Sequence, residues 1–229
     1  MRIGIIGAGR IGSNAARQLH RVGHEVLLSF SRDQAKLTVL AAEVGPRAQA
    51  GTPVEAVAFG EVVLLSVPWA AIDVALAEAG PLTGKIVVDT TNQFGPAGPL
   101  TLPGGQSAAS INAARMPSAR VVKAFNTLTA GFQAEAAGRT GEARAAFFLA
   151  GEDAEANRVV AGLIEEIGLA PVDVGGWGEV WIMEAPRRPG SVYGEEYRPA
   201  DAARIAAAAA SDPAMASRLA DELKVIAPS

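Results

Sequence analysis

The chain has 229 residues, 49% of them hydrophobic, which suits one domain with an appendage, or at most two small domains, and a core that needs no covalent staple. It has no cysteine and only two histidines, His20 and His24, so thiol nucleophiles, disulfides, thiolate-held metals and histidine metal sites are excluded. A net charge of −4 with both signs scattered along the chain argues against a nucleic-acid binder, and no apolar run reaches the roughly 18 residues of a membrane span.

The chain starts in a short apolar run, Ile3–Ile6, with no signal-peptide pattern before it, and a cytoplasmic protein is the expectation. Ser13–Val22 follows with Ala15, Ala16, Leu19 and Val22 at helical spacing. Glu25–Phe30 reads as a second strand. Leu37, Leu40, Ala41 and Val44 mark a second helix that Gly45-Pro46 stops. After a short strand at Arg47–Ala50, Thr52-Pro53-Val54-Glu55 has the form of a capping box with proline at the first helical position. Val62–Val67 is a strand without polar alternation, as expected when helices cover both faces. Ala70–Ala79 is helical, Ile86–Asp89 a strand, the Gly- and Pro-rich Asn92–Gly105 a loop, Ser107–Met116 helical and Val121–Ala124 another buried strand. Ala145–Ala150 and Ala170–Val174 are the last strands, separated by a helical stripe through Ala156, Val160, Leu163 and Ile167.

Strand–helix–strand alternation predicts an α/β fold, a doubly wound parallel sheet with right-handed crossovers. The rhythm breaks after Val174. Gly175–Pro199 has no clear period, and helical segments at Ala200–Ala210 and Pro213–Ile226 close the chain. The predicted organisation is a nucleotide-binding domain over residues 1–175 and a loop and helical extension over 176–229.

Gly7-Ala8-Gly9-Arg10-Ile11-Gly12 fits G-x-G-x-x-G between a strand and a helix, the context that gives this pattern meaning. Gly7 permits the tight turn, Gly9 the approach of a pyrophosphate to the backbone, and Gly12 close helix–strand packing. The helix N-terminus offers unpaired N–H groups and a positive dipole end to phosphate. At the end of the second strand an NAD site carries a carboxylate for the ribose 2′-OH. Here the chain reads Ser29-Phe30-Ser31-Arg32. Ser31 can donate a hydrogen bond, Arg32 can pair with a 2′-phosphate, and Lys36 adds a third group one turn on, which together favour NADP.

Ligands of open α/β sheets sit at the carboxyl ends of the strands. The backbone of Ser66-Val67-Pro68 is placed to line ribose and nicotinamide, and Trp69 either covers a ring or anchors the next helix. Asn92 and Asn126 offer amides to a carboxamide or second ring, or cap turns. Trp177, Trp181, Tyr193 and Tyr197 are concentrated in the irregular segment, which suits a ring-binding wall for the hydride acceptor, a dimer contact, or a packed strap that only closes the core.

Gly7–Gly12, Phe30-Ser31-Arg32 with Lys36, Ser66-Val67-Pro68-Trp69 and Val122-Lys123-Ala124-Phe125-Asn126-Thr127 resemble the NADPH:coenzyme F420 oxidoreductases. They are also similar to the cytosolic reductase domain of the STEAP metalloreductases. The resemblance covers about residues 1–175. It implies a Rossmann fold and NADP(H) as cofactor, with coenzyme F420 or a flavin as hydride acceptor. It also implies that Ser31, Arg32 and Lys36 hold the 2′-phosphate, and that Val67, Pro68, Ala124, Asn126 and Thr127 lie near the nicotinamide. The expected activity is hydride transfer to a small-molecule acceptor by a homodimer that touches neither membrane nor nucleic acid. Two other readings stand beside it: an imine or 2-keto-acid reductase of the β-hydroxyacid dehydrogenase kind, and a non-catalytic NADP(H) sensor.

Overall fold

The computed structural model describes residues 1–31 and 33–225, and the chain forms two compact units. The first comprises Met1–Leu100 and Asn112–Val121; the second comprises Thr101–Ile111 and the chain from Val122 onward.

The first unit is built in chain order from β1 (Arg2–Ile6), α1 (Arg10–Arg21), β2 (Glu25–Ser29), α2 (Gln34–Val44), β3 (Ala48–Ala50), α3 (Pro53–Phe59), β4 (Val62–Leu65), α4 (Ile72–Ala79) and β5 (Ile86–Asp89). The five strands are parallel in the order β5-β4-β1-β2-β3. Ile3, Ile5, Ile6, Val62, Val63 and Leu64 are fully buried, so the apolar runs without alternation are strands covered on both faces. The capping box forms as read: the Thr52 hydroxyl accepts from the Glu55 N–H, and Glu55 accepts from the Thr52 N–H at 2.7 Å. From β1 the chain builds outward to β2 and β3, then returns to the other side of β1 for β4 and β5. The reversal makes the carboxyl ends of β1 and β4 a topological switch point, where such sheets bind ligands. The segment expected to be a loop contains a small antiparallel hairpin, β6 (Phe94–Gly95) with β7 (Gly98–Pro99).

The division between the units runs through α5 (Ala108–Arg115) and β8 (Arg120–Ala124). The second unit continues with α6 (Ala130–Ala136), β9 (Ala146–Ala150), α7 (Ala154–Glu166), β10 (Ala170–Asp173), α8 (Pro199–Ser211) and α9 (Pro213–Glu222). β9 pairs parallel with β10 but antiparallel with β8. This corrects the expectation of uniformly parallel strands. Ala146–Ala150 is buried throughout, so its pattern carries no mark of strand direction. The short helix α6 was not anticipated. Residues 175–199 belong to this unit's core: Val180, Ile182, Met183, Val192 and Tyr197 are fully buried together with Phe148 and Ile205. Among the described residues no helix is long and apolar enough to cross a membrane.

Candidate functional site

The three glycines after β1 do three different things. Gly7 has φ +112°, and a Cβ there would meet the Ser66 carbonyl oxygen at 2.1 Å, so this turn presses against the end of β4. A Cβ on Gly12 would lie 2.0 Å from the Gly7 carbonyl oxygen, which fixes α1 tightly against the turn. Around Gly9, by contrast, a Cβ would meet nothing within 4 Å. Gly9 is the N-cap of α1, supplies no side-chain cap, and the first turn of α1 holds no acidic residue. The N–H groups of a helix's first turn lack intrahelical partners, and the dipole adds positive potential. The result is an open, uncapped helix N-terminus at the switch point, which a side chain at residue 9 would fill.

Ser29 ends β2 fully buried, its hydroxyl donating to the Ile5 carbonyl at 2.9 Å. Phe30 then adopts φ +56°, a left-handed conformation that L-residues other than Asn, Asp and His rarely take. Ser31 is exposed beyond it, its hydroxyl donating to the Asp33 carbonyl at 3.1 Å. Asp33 caps α2: its Oδ1 accepts from the Lys36 N–H at 3.1 Å, and its Oδ2 lies 3.6 Å from the Lys36 Nζ. The Lys36 side chain is 85% exposed. The described residues that directly follow β2, Phe30 and Ser31, carry no carboxylate. Arg32 lies outside the described residues.

At the end of β4, Ser66 donates its N–H to the Ile6 carbonyl, Val67 is buried, and Pro68 leads into a turn begun by Trp69. The Trp69 ring is covered by the Arg115 guanidinium at 5.0 Å, and Arg115 also pairs with Asp73 at 3.0 Å. Trp69 is half-buried and is held within its own unit by this contact. Asn112, fully buried, donates to Asp89 Oδ2 at 2.9 Å and Thr91 Oγ1 at 3.0 Å, and its own oxygen accepts from Arg115. Asn92 is half-buried in the following turn, and its carbonyl accepts the Phe94 N–H.

In the second unit, Ala124 is buried at the end of β8, and Phe125 repeats the left-handed conformation at φ +60°. The Phe125 ring packs edge-on against Phe147 at 5.0 Å, which holds the strained residue in place. Asn126 donates its amide to the Met183 carbonyl at 2.8 Å, and the Thr127 carbonyl accepts the Gly194 N–H at 2.8 Å. The irregular segment thus reaches the turn after β8 at two points. Tyr193 is half-buried, and burial pushes its phenol up. Tyr197 is placed differently from its expected position on a pocket wall. It is fully buried, its hydroxyl donates to the Ala220 carbonyl at 2.6 Å, and its ring meets Phe148 edge-on. Neither left-handed phenylalanine had a sequence signal, and the Asn112–Asp89 contact would have required pairing two isolated polar residues across helix and strand.

A profile of the coenzyme F420-dependent NADP oxidoreductases matches residues 2–93. The structure of protein SMa0349 from Sinorhizobium meliloti is 32% identical, with a TM-score of 0.77, over 86% of this chain and 95% of its own. A protein of Arthrobacter sp. FB24 assigned as an F420-dependent NADP reductase is 29% identical, with a TM-score of 0.67, over 77% of this chain and 85% of its own. Residues 2–93 are thus similar to the F420-dependent NADP oxidoreductases, and the chain is related over most of its length to both of these proteins. No curated protein matches it. A reductive aminase from Aspergillus terreus, 23% identical with a TM-score of 0.56 over 77% of this chain and 55% of its own, shares the fold.

The chain is an NADP-dependent oxidoreductase, and its residues fit that cofactor. The space over Gly9 is the space a pyrophosphate needs, and Phe30 and Ser31, directly after β2, carry no carboxylate that would repel a 2′-phosphate.

Proposed function

We propose that the protein transfers a hydride between NADP(H) and a deazaflavin of the F420 type or a flavin. The observation that carries this reading is the open, uncapped N-terminus of α1 over Gly9 in a chain similar to this family. Bound NADPH supplies the hydride from nicotinamide C4. The chain's own part is to bind and orient, which is most of what direct hydride transfer between rings asks of a protein. Ala8, Gly9, Arg10 and Ile11 offer backbone N–H groups to the pyrophosphate. Ser31, Arg32 and Lys36 take the 2′-phosphate, and the backbone of Ser66, Val67 and Pro68 lines the ribose. For the acceptor we infer contacts from Asn126, Thr127 and Tyr193.

The test is NADPH consumption followed at 340 nm with coenzyme F420 and with riboflavin 5′-phosphate in separate assays. Acceptor-dependent loss of absorbance is expected with at least one of them. A protein that binds NADPH but consumes none with either acceptor would refute hydride transfer and leave a cofactor-binding module.

A further inference from the structure

Within the first unit, one side chain ties together the turns that follow β4 and β5. Arg115, in the last turn of α5, meets three groups at once. Its Nη1 donates to Asn112 Oδ1 at 2.8 Å, its Nε lies 3.0 Å from Asp73 Oδ1, and its guanidinium stands 5.0 Å over the centre of the Trp69 ring.

The three contacts differ in weight. The Asp73 side chain is 76% exposed, so its ion pair with Arg115 contributes little. Asn112 is fully buried and lies one turn before Arg115 on the same face of α5. Its amide group donates to Asp89 Oδ2 at 2.9 Å and to Thr91 Oγ1 at 3.0 Å. Asp89 ends β5, and its Oδ1 accepts the Thr91 N–H at 2.9 Å, so this side of the network is fixed to the turn after β5. Arg115 carries that fixity to the turn after β4. Thr90 also joins the two strands, but it reaches only Leu65, the last residue of β4. Beyond Leu65 the Ser66 carbonyl lies against the Gly7 turn, and exposed Pro68 has no N–H to donate. Trp69 follows at once, opening the helical turn Trp69–Ala71, and its ring is where Arg115 grips this turn.

We propose that Arg115 is a positioning residue for the nicotinamide half of NADPH. Through the Trp69 ring it sets where the Val67–Pro68 backbone meets the ribose. The proposal rests on the dinucleotide reading of this edge and adds to it a residue outside the glycine turn and the strand ends.

The test needs no hydride acceptor. NADPH is titrated calorimetrically beside adenosine 2′,5′-bisphosphate, which carries the 2′-phosphate half and lacks the nicotinamide and its ribose. Arg115→Met keeps a long side chain and removes the cation. It should weaken NADPH roughly 2- to 30-fold, the range of a cation–π contact, and leave the bisphosphate affinity unchanged. Trp69→Leu should do the same, and the double variant should lose no more than either single one, because the two groups act as one device. Trp69→Phe leaves a ring under the guanidinium and should recover most of the NADPH affinity. A purely structural role would weaken both probes alike. Equal weakening of the two probes, unchanged NADPH affinity in Arg115→Met, or additive losses in the double variant would overturn the proposal. A wild-type protein that binds neither probe would instead count against the dinucleotide site itself.

Discussion

Gly9→Val separates phosphate binding from folding. The space around a Cβ at residue 9 is empty to 4 Å, and φ there is −73°, which valine adopts readily. The stability change has two small parts. Valine is a poorer N-cap than glycine, by about 1 kcal/mol. Against that, replacing glycine restricts the unfolded chain, a gain of about 0.4–1 kcal/mol. The net change is within about 1 kcal/mol, or a shift of roughly 2–4 °C in Tm for a chain of this size. The binding change is larger. A valine side chain occupies the pyrophosphate's place and removes at least two charge-assisted N–H contacts, each worth about 1.5–3 kcal/mol, so NADPH affinity should fall at least 100-fold. Gly12 is the internal contrast. Its Cβ would sit 2.0 Å from the Gly7 carbonyl oxygen, so even Gly12→Ala should cost about 2 kcal/mol or more of stability. Thermal unfolding and NADPH calorimetry on both variants check the pair. A folded Gly9→Val protein whose NADPH affinity lies within a few-fold of the wild type would refute the assignment of this turn to phosphate.

The double variant Arg32→Ala/Lys36→Ala should weaken NADPH binding about 10- to 100-fold and leave NADH nearly unchanged, as expected for lost contacts to a 2′-phosphate; equal loss for both cofactors in parallel titrations would contradict it. Tyr197→Phe removes a buried hydrogen bond to the Ala220 carbonyl and leaves that acceptor unsatisfied, so it should lower stability by about 1–3 kcal/mol while NADPH affinity is retained; a change in cofactor affinity at wild-type stability would return Tyr197 to the ligand site.

What the sequence revealed and what it hid divide along the range of the interactions. Ile3–Ile6, the Gly7–Gly12 turn and the Thr52 capping box depend on neighbours a few residues away, and all three were legible. The direction of β9 was not, because it is set by pairing of Lys123 and Ala124 with Ala150 and Leu149. Helix α6 was missed because Ala130–Ala136 is short and includes Gly131, which weakens any helical signal. The irregular segment misled in one respect. An aromatic-rich stretch without periodicity reads the same whether its rings face a ligand or a core. Only Phe148 and Ala220, distant in sequence, decide that Tyr197 is core.

The residues proposed to read the 2′-phosphate follow a turn of unusual backbone conformation. The chain does carry an aspartate near the end of β2, and a count of residue types alone would allow an NAD site. The left-handed Phe30 redirects the backbone immediately after Ser29, and the Ser31 hydroxyl bridges to the Asp33 backbone, accepting its N–H at 3.2 Å. Asp33 is thereby delivered to the first turn of α2, where one oxygen caps the helix and the other faces the Lys36 ammonium. A carboxylate in that role is stabilised by the helix dipole and engaged by the helix's own N–H and ammonium groups. Ser31 is left exposed beyond the end of β2. The strain of a left-handed phenylalanine, about 1–3 kcal/mol, is of the kind that persists where surrounding structure fixes a functional turn. The same conformation at Phe125, also directly after a strand, places Asn126 and Thr127 within the second unit by the same device.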